Sequence, residues 1–103
     1  GDGDVTLTGT QTLTNKTLTA PKIGTSILDT NGNELFLLTA TSSAVNELTY
    51  ANAATGNAPS FTASGGDSNI GINFVPKGTG TVQSGGNTLA TMGKAIAMAI
   101  VFG

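Results

Sequence analysis

The sequence has 103 residues, which allows one domain and is too short for two independently stable cores. Four lysines and six acidic residues give a formal net charge of -2, so no basic surface is available for nucleic acid. The absence of cysteine and histidine excludes disulfides, ordinary zinc sites, and catalysis by Ser-His-Asp or Cys-His groups.

Material for a hydrophobic core is scarce. Only 38% of the residues are apolar, and the aromatic residues are one tyrosine and four phenylalanines. A compact monomer of this mass would bury about 64% of the surface of the extended chain, and ordering the backbone costs about 1–2 kcal/mol per residue. A solitary fold would therefore be marginal, and identical partner chains are expected to supply the missing burial.

The first 24 residues contain a short repeat, Thr-Leu-Thr, at residues 6–8, 12–14 and 17–19. In an extended backbone each copy places its leucine on one face and both threonines on the other. One leucine per copy makes no core within a single chain, whereas three chains around a common axis could share the stripe. A loosely ordered Thr-rich arm is the alternative interpretation.

Residues 26–39 predict a β-hairpin. Two predicted β segments, residues 27–29 and 34–38, flank Asn31-Gly32, and both of these turn residues tolerate the positive φ of a type I′ turn. Residues 34–38 are apolar on both faces, which is typical of a strand covered by layers on both sides.

Further short strands are expected towards the C-terminus. Residues 43–52 fit either a strand or a short helix, and a strand is preferred; a short strand is predicted at residues 60–64. The clearest alternation in the chain is at residues 69–75, where Ile70, Ile72 and Phe74 share one face. Residues 76–80 predict a turn, and residues 81–83 and 87–89 predict short strands around Gly85-Gly86.

Residues 94–102 combine alanines with alternating larger apolar residues. Alternation, short length and flanking glycines favour a strand over a helix. Its longest apolar run has eight residues, well short of the roughly 20 that a helix needs to cross a bilayer, so no membrane insertion is expected. This segment and the leucine stripe form the predicted interface, with candidate residues Leu7, Leu13, Leu18, Ile96, Met98, Ile100 and Phe102.

No residues indicate a catalytic, cofactor or metal site. The six carboxylates are scattered through predicted turns and strand edges, where solvated charges are expected. The segment that starts at Asp29 fails the calcium-loop pattern, because the required glycine and glutamate positions hold Glu34 and Ala40. Phe36, Tyr50 and Phe61 could stack on sugars, but a place in the core is the favoured interpretation. The chain is therefore predicted not to be an enzyme.

Several segments resemble those of known virion proteins. Residues 9–23, GTQTLTNKTLTAPKI, resemble a segment of tail fibres and other virion structural proteins of tailed bacteriophages. Residues 29–35, 52–59 and 69–80 are also similar to modules of these proteins, and chance does not explain why all these segments occur in this order. The resemblance implies a usually trimeric virion component displayed on the outside of the particle, and it implies no catalytic residues.

Together these observations predict an all-β chain of short strands and hairpins, elongated and assembled as an intertwined homotrimer of the β-prism or triple-stranded β type. Residues 1–25 would form a Thr-rich arm or triple-stranded stem, residues 26–92 a hairpin-rich body, and residues 93–103 an apolar interface strand or anchor. Leu18→Asp and Ile100→Asp are expected to prevent assembly, since each would bury unpaired charges in every copy.

Three hypotheses for function follow from the resemblance. The first is a structural component on the exterior of a phage virion, with other copies and other virion proteins as partners. The second is a capsid decoration protein that locks neighbouring capsid subunits. The third is a tail-fibre module that binds a glycan on the host surface.

Overall fold

The fold is β-rich in the computed structural model, which describes residues 4–90. Within that range there is no helix, and about a quarter of the residues lie in six short strands. The strands pair as three separate antiparallel hairpins, so the prediction of short strands and hairpins is confirmed. The predicted strand at residues 94–102 lies outside the described residues.

The first hairpin joins β1 (Ser26–Leu28) to β2 (Glu34–Leu37), as the sequence predicted. The predicted type I′ turn is wrong, because Gly32 alone in this turn has a positive φ, +85°. The Asp29 carboxylate oxygen Oδ1 instead accepts hydrogen bonds from the backbone N–H groups of Asn31 and Asn33, both at 2.9 Å. These bonds stabilise a longer loop, since an aspartate side chain can accept hydrogen bonds from nearby backbone N–H groups.

Residues 4–90 of a single copy do not cover β2 on both faces, and its covering by other copies stays a prediction. All four of its residues are exposed, including Phe36 at 56% and Leu37 at 65%. A bulge interrupts the pairing between β1 and β2, and the resulting two-stranded sheet has no second layer among the described residues.

The second hairpin is the longest. Strand β3 (Asn46–Ala51) pairs with β4 (Ser60–Gly65) through six residue pairs, which confirms a strand rather than a helix in the first segment. The connection includes a turn in which the N–H of Asn57 donates to the carbonyl of Ala54 at 3.1 Å.

The predicted strand at residues 69–75 is wrong for the described chain, because these residues form no strand. Residues 70–73 instead border a groove of about 240 Å³, whose other lining is residues 46–48 of β3. Alternation of apolar residues creates a suitable face, but a strand also needs a neighbour that completes its backbone hydrogen bonds.

The third hairpin, β5 (Gln83–Ser84) and β6 (Asn87–Thr88), confirms the predicted pair of strands in shorter form. Gly85 and Gly86 have φ values of 56° and 83°, the positive pair that a two-residue type I′ turn requires. The predicted turn before it is confirmed as well, since the Gly80 N–H donates to the Lys77 carbonyl at 2.9 Å.

The Thr-Leu-Thr region contains no strand between residues 4 and 25. The side chain of Gln11 stabilises the start of this region. It accepts a hydrogen bond from the Thr6 N–H at 2.7 Å and donates one to the Asp4 carbonyl at 2.9 Å. Asn15 and Ala20, which directly follow the second and third copies of the repeat, have φ values of 55° and 46°. A triple-stranded stem in this region stays a prediction.

The chain divides into two units, Gly1–Ser42 and Ser43–Gly103. The first hairpin belongs to the first unit, and the other two hairpins belong to the second. The three-part organisation proposed from the sequence stays a prediction.

Candidate assembly interface

The defining feature of the described chain is apolar surface without a core. None of residues 4–90 is buried, and nineteen large apolar side chains are exposed, from Ile23 at 41% to Leu7 at 103%. Each Å² of apolar surface left in water forgoes about 25 cal/mol. Large stabilisation is therefore available from contacts with other molecules.

The predicted interface residues lie partly in the described range. Leu7, Leu13 and Leu18 are 103%, 49% and 63% exposed. No strand pairing joins the segments that carry them within residues 4–90. The other candidates, Ile96, Met98, Ile100 and Phe102, lie outside the described residues.

The β3–β4 hairpin has an apolar face that sequence reasoning missed. Its register sets Leu48 opposite Ala63 and Tyr50 opposite Phe61, and the two-residue period of a strand places all four side chains on one side. We call this set the apolar face. Leu48, Tyr50 and Phe61 are 54%, 67% and 54% exposed, so the predicted place of the two aromatic rings in a core is not met within residues 4–90 of one copy.

An aromatic pair organises the apolar face. The rings of Tyr50 and Phe61 meet edge to face, with centroids 4.7 Å apart and an interplanar angle of 78°. Such a pair contributes about 0.5–1.5 kcal/mol beyond the area it buries. The two rings are far apart in sequence, and only the register set by the β3–β4 connection brings them together.

The opposite side of the same hairpin, which we call the polar face, carries Glu47, Thr49, Thr62 and Ser64. Ser64 Oγ donates a hydrogen bond to Glu47 Oε2, and it shares a second hydrogen bond of 2.7 Å with Thr49 Oγ1. The one carboxylate of β3 and β4 is thus directed away from the apolar face. The hairpin is amphipathic, and the four residues of its apolar face carry no charge.

A compact turn fixes the path of the chain after β4. Asn46 Nδ2 donates to Asp67 Oδ2 at 2.9 Å, and the Gly66 N–H donates to the Val45 carbonyl at 2.9 Å. Gly65 has a φ of +141°, and a Cβ there would lie 2.4 Å from the Val45 carbonyl oxygen. Glycine is required at this position, and the turn directs residues 69–75 to the groove beside β3.

No known protein family, curated protein or solved structure matches this chain. The resemblance of segments within residues 9–83 to phage structural proteins therefore stays a prediction from the sequence.

A second opening lies near the third hairpin. A cleft of about 360 Å³ is lined by Pro76, residues 80–82 and residues 88–90. Its side chains are aliphatic residues and threonines, without a charged group. This lining suits contact with an apolar side chain, and it offers no charged group that could act in catalysis.

Three carboxylates among residues 4–90 are engaged in structural contacts. Asp29 holds the first turn, Glu47 binds Ser64, and Asp67 binds Asn46. Residues 4–90 contain no group of three or more Asp, Glu, His or Cys side chains placed to hold a metal ion. Within the same range, no helix could span a lipid bilayer.

Proposed function

We propose that this chain is a structural component exposed on a phage virion, where it forms or stabilises a fibre, an appendage or the capsid surface by packing as a β-rich homotrimer. The observation that carries the proposal is that residues 4–90 bury no side chain while nineteen large apolar side chains remain exposed. The resemblance of residues 9–83 to tail-fibre segments supports the virion context.

Isolated two-stranded hairpins are marginally stable in water, because they bury too little apolar surface to offset the loss of backbone entropy. Each of the three hairpins within residues 4–90 is two-stranded. Packing three copies around an axis would turn three uncharged apolar faces into one shared core. Closed symmetry of this kind also avoids open-ended growth into filaments.

The same physical argument applies to a capsid decoration protein. In that case the apolar surface would be shared partly with capsid subunits, whose neighbours the protein would lock together. The position of the protein in the particle distinguishes the two roles, and a cryo-electron microscopy map of the source particle would reveal it.

The oligomeric state is the first test. Sedimentation velocity and native mass spectrometry at micromolar concentration are expected to give a trimer, with the far-ultraviolet dichroism of β-structure. Dilution should cause dissociation and loss of that signal together, since the apolar surface is covered only in the assembly. A monomer that stays folded and unfolds cooperatively would contradict the proposal.

A glycan-binding module is the second candidate, and the exposure of Tyr50 and Phe61 is the observation that favours it. Aromatic rings can stack on the apolar faces of sugars. On a glycan array, Tyr50→Ala should then abolish a signal that Tyr50→Phe retains. Binding that is absent, or that is equal in both variants, would eliminate this candidate at the β3–β4 hairpin.

A further inference from the structure

Residues 69–75 and the outer edge of β3 both have backbone hydrogen-bonding groups without a strand partner within residues 4–90. We propose that residues 69–75 of one copy add as a third strand to the free edge of β3 in a neighbouring copy. This inference rests on the proposed homo-oligomeric function, and it names the segment that would join the subunits.

The donor segment has the sequence of a strand but no backbone partner. No backbone hydrogen bond joins residues 69–75 to any other part of residues 4–90. Ile72, Phe74 and Val75 are 43%, 62% and 77% exposed. The segment therefore presents both its backbone groups and its apolar side chains for pairing.

The acceptor edge belongs to β3. Within residues 4–90 this strand pairs with β4 alone, so the backbone groups of its other edge are available for a ladder. A groove of about 240 Å³ lies along residues 46–48, and residues 70–73 of the same copy line its other side, so they would move away when the segment of a neighbour pairs here. An exposed strand edge is a template for a strand from another chain.

The two patterns match when the strands are placed side by side. With Ile72 opposite Leu48 or Tyr50, the alternating set of Ile70, Ile72 and Phe74 would extend the apolar face. Gly71 and Asn73 would then lie on the polar face. A slip by one residue would place the isoleucines on the polar face, beside Glu47 and Thr49. Burial of the apolar face therefore favours the registers in which the isoleucines lie on the same side as Leu48 and Tyr50.

Charge does not oppose this pairing between identical chains. Residues 69–75 contain no charged residue, and neither does the apolar face. A third strand would also convert a marginal two-stranded hairpin into a sheet with one continuous apolar side.

A second copy is a better partner for this edge than the same chain. Within one copy, residues 70–73 border the groove but form no hydrogen bond across it to β3. The turn anchored by the Asn46–Asp67 and Val45–Gly66 contacts fixes where the segment begins. The segment of a neighbouring copy is tethered to its own β3 and not to the edge that it joins, so it can adopt the 4.7–4.9 Å spacing of paired strands.

Cross-linking between chains tests the proposal, and the absence of native cysteine makes introduced thiols unambiguous. Thr49→Cys and Asn73→Cys would be made in separate full-length chains with different affinity tags. After the chains are assembled together and treated with a short bismaleimide, we expect a covalent species that carries both tags. Asn57→Cys replaces Asn73→Cys in the matched control, because Asn57 lies in an exposed turn, and it should give little of that species.

Hydrogen exchange gives a second measurement. The amides of residues 69–75 are expected to exchange at least about tenfold more slowly in the assembly than after its dissociation by dilution. Exchange that remains fast in an intact assembly would overturn the proposed strand pairing.

The outcomes separate this inference from the function on which it rests. A trimer that yields no Thr49–Asn73 cross-link overturns strand addition and leaves the homotrimer intact. In a further variant that carries both substitutions in one chain, a cross-link that forms only within that chain likewise overturns addition between copies. A folded monomer at every concentration overturns the proposed function itself.

Discussion

Leu48→Asp is expected to weaken assembly at least about a hundredfold, which corresponds to about 2.8 kcal/mol at 1.4 kcal/mol per tenfold change. Leu48 lies on the apolar face beside the aromatic pair and is 54% exposed in the single chain. If that face is covered in the assembly, each copy would bury a short carboxylate without a partner. The effective penalty for burying an unpaired ion is several kcal/mol, and aspartate is too short to reach the surrounding water.

Thr62→Asp is the matched control, because it adds the same charge to the same hairpin on the polar face. Its effect should stay within about 0.5 kcal/mol, as is usual for surface substitutions. Sedimentation velocity across a concentration series would give both dissociation constants. Equal dissociation constants for Leu48→Asp and the native chain would show that the apolar face is not an interface.

The hairpins built on glycine-containing turns could be located from local sequence rules. Asn31-Gly32 and Gly85-Gly86 each lie between short β segments, and both predicted hairpins exist in the structure. The detailed shape of the first turn was not predictable from its asparagine and glycine alone. It depends on Asp29, whose carboxylate competes for the nearby backbone N–H groups.

Residues 69–75 show where alternation fails as a predictor. The pattern correctly describes a segment with one apolar side, but strand formation depends on hydrogen bonds with another segment. Within residues 4–90 that partner is missing, although the edge of β3 is close by. The prediction was wrong because it contained information about side chains and none about pairing.

The apolar face illustrates a different limit. The alternation of Leu48 and Tyr50 is visible in the sequence, but the place of Phe61 beside Tyr50 depends on a register of six residue pairs. A shift of one residue would move Phe61 to the opposite face. No local rule for the long connection between β3 and β4 fixes this register, so the aromatic pair emerged only from the structure.

Leu18→Asp should prevent assembly if the Thr-Leu-Thr stripe forms a seam between chains. Leu18 is 63% exposed within one copy, and Asp at this position would place one carboxylate per chain into the shared apolar contact. Thr19→Asp is the control, since in an extended backbone this neighbour points to the opposite side. We expect at least about a hundredfold weaker association for Leu18→Asp and a change below about threefold for Thr19→Asp, measured by sedimentation velocity.

The pair Leu18→Asp and Leu48→Asp also locates the source of stability, because the two leucines belong to different units of the chain. If both variants remain monomeric, the assembly needs burial from both units, as expected when residues 4–90 of one copy form no core. If Leu18→Asp assembles normally while Leu48→Asp does not, the stripe is not an interface and residues 1–25 act as an arm outside the contact. Mixing the two variants would give no rescue in a closed threefold assembly, since every mixed trimer would still contain a buried carboxylate in at least one of the two contacts.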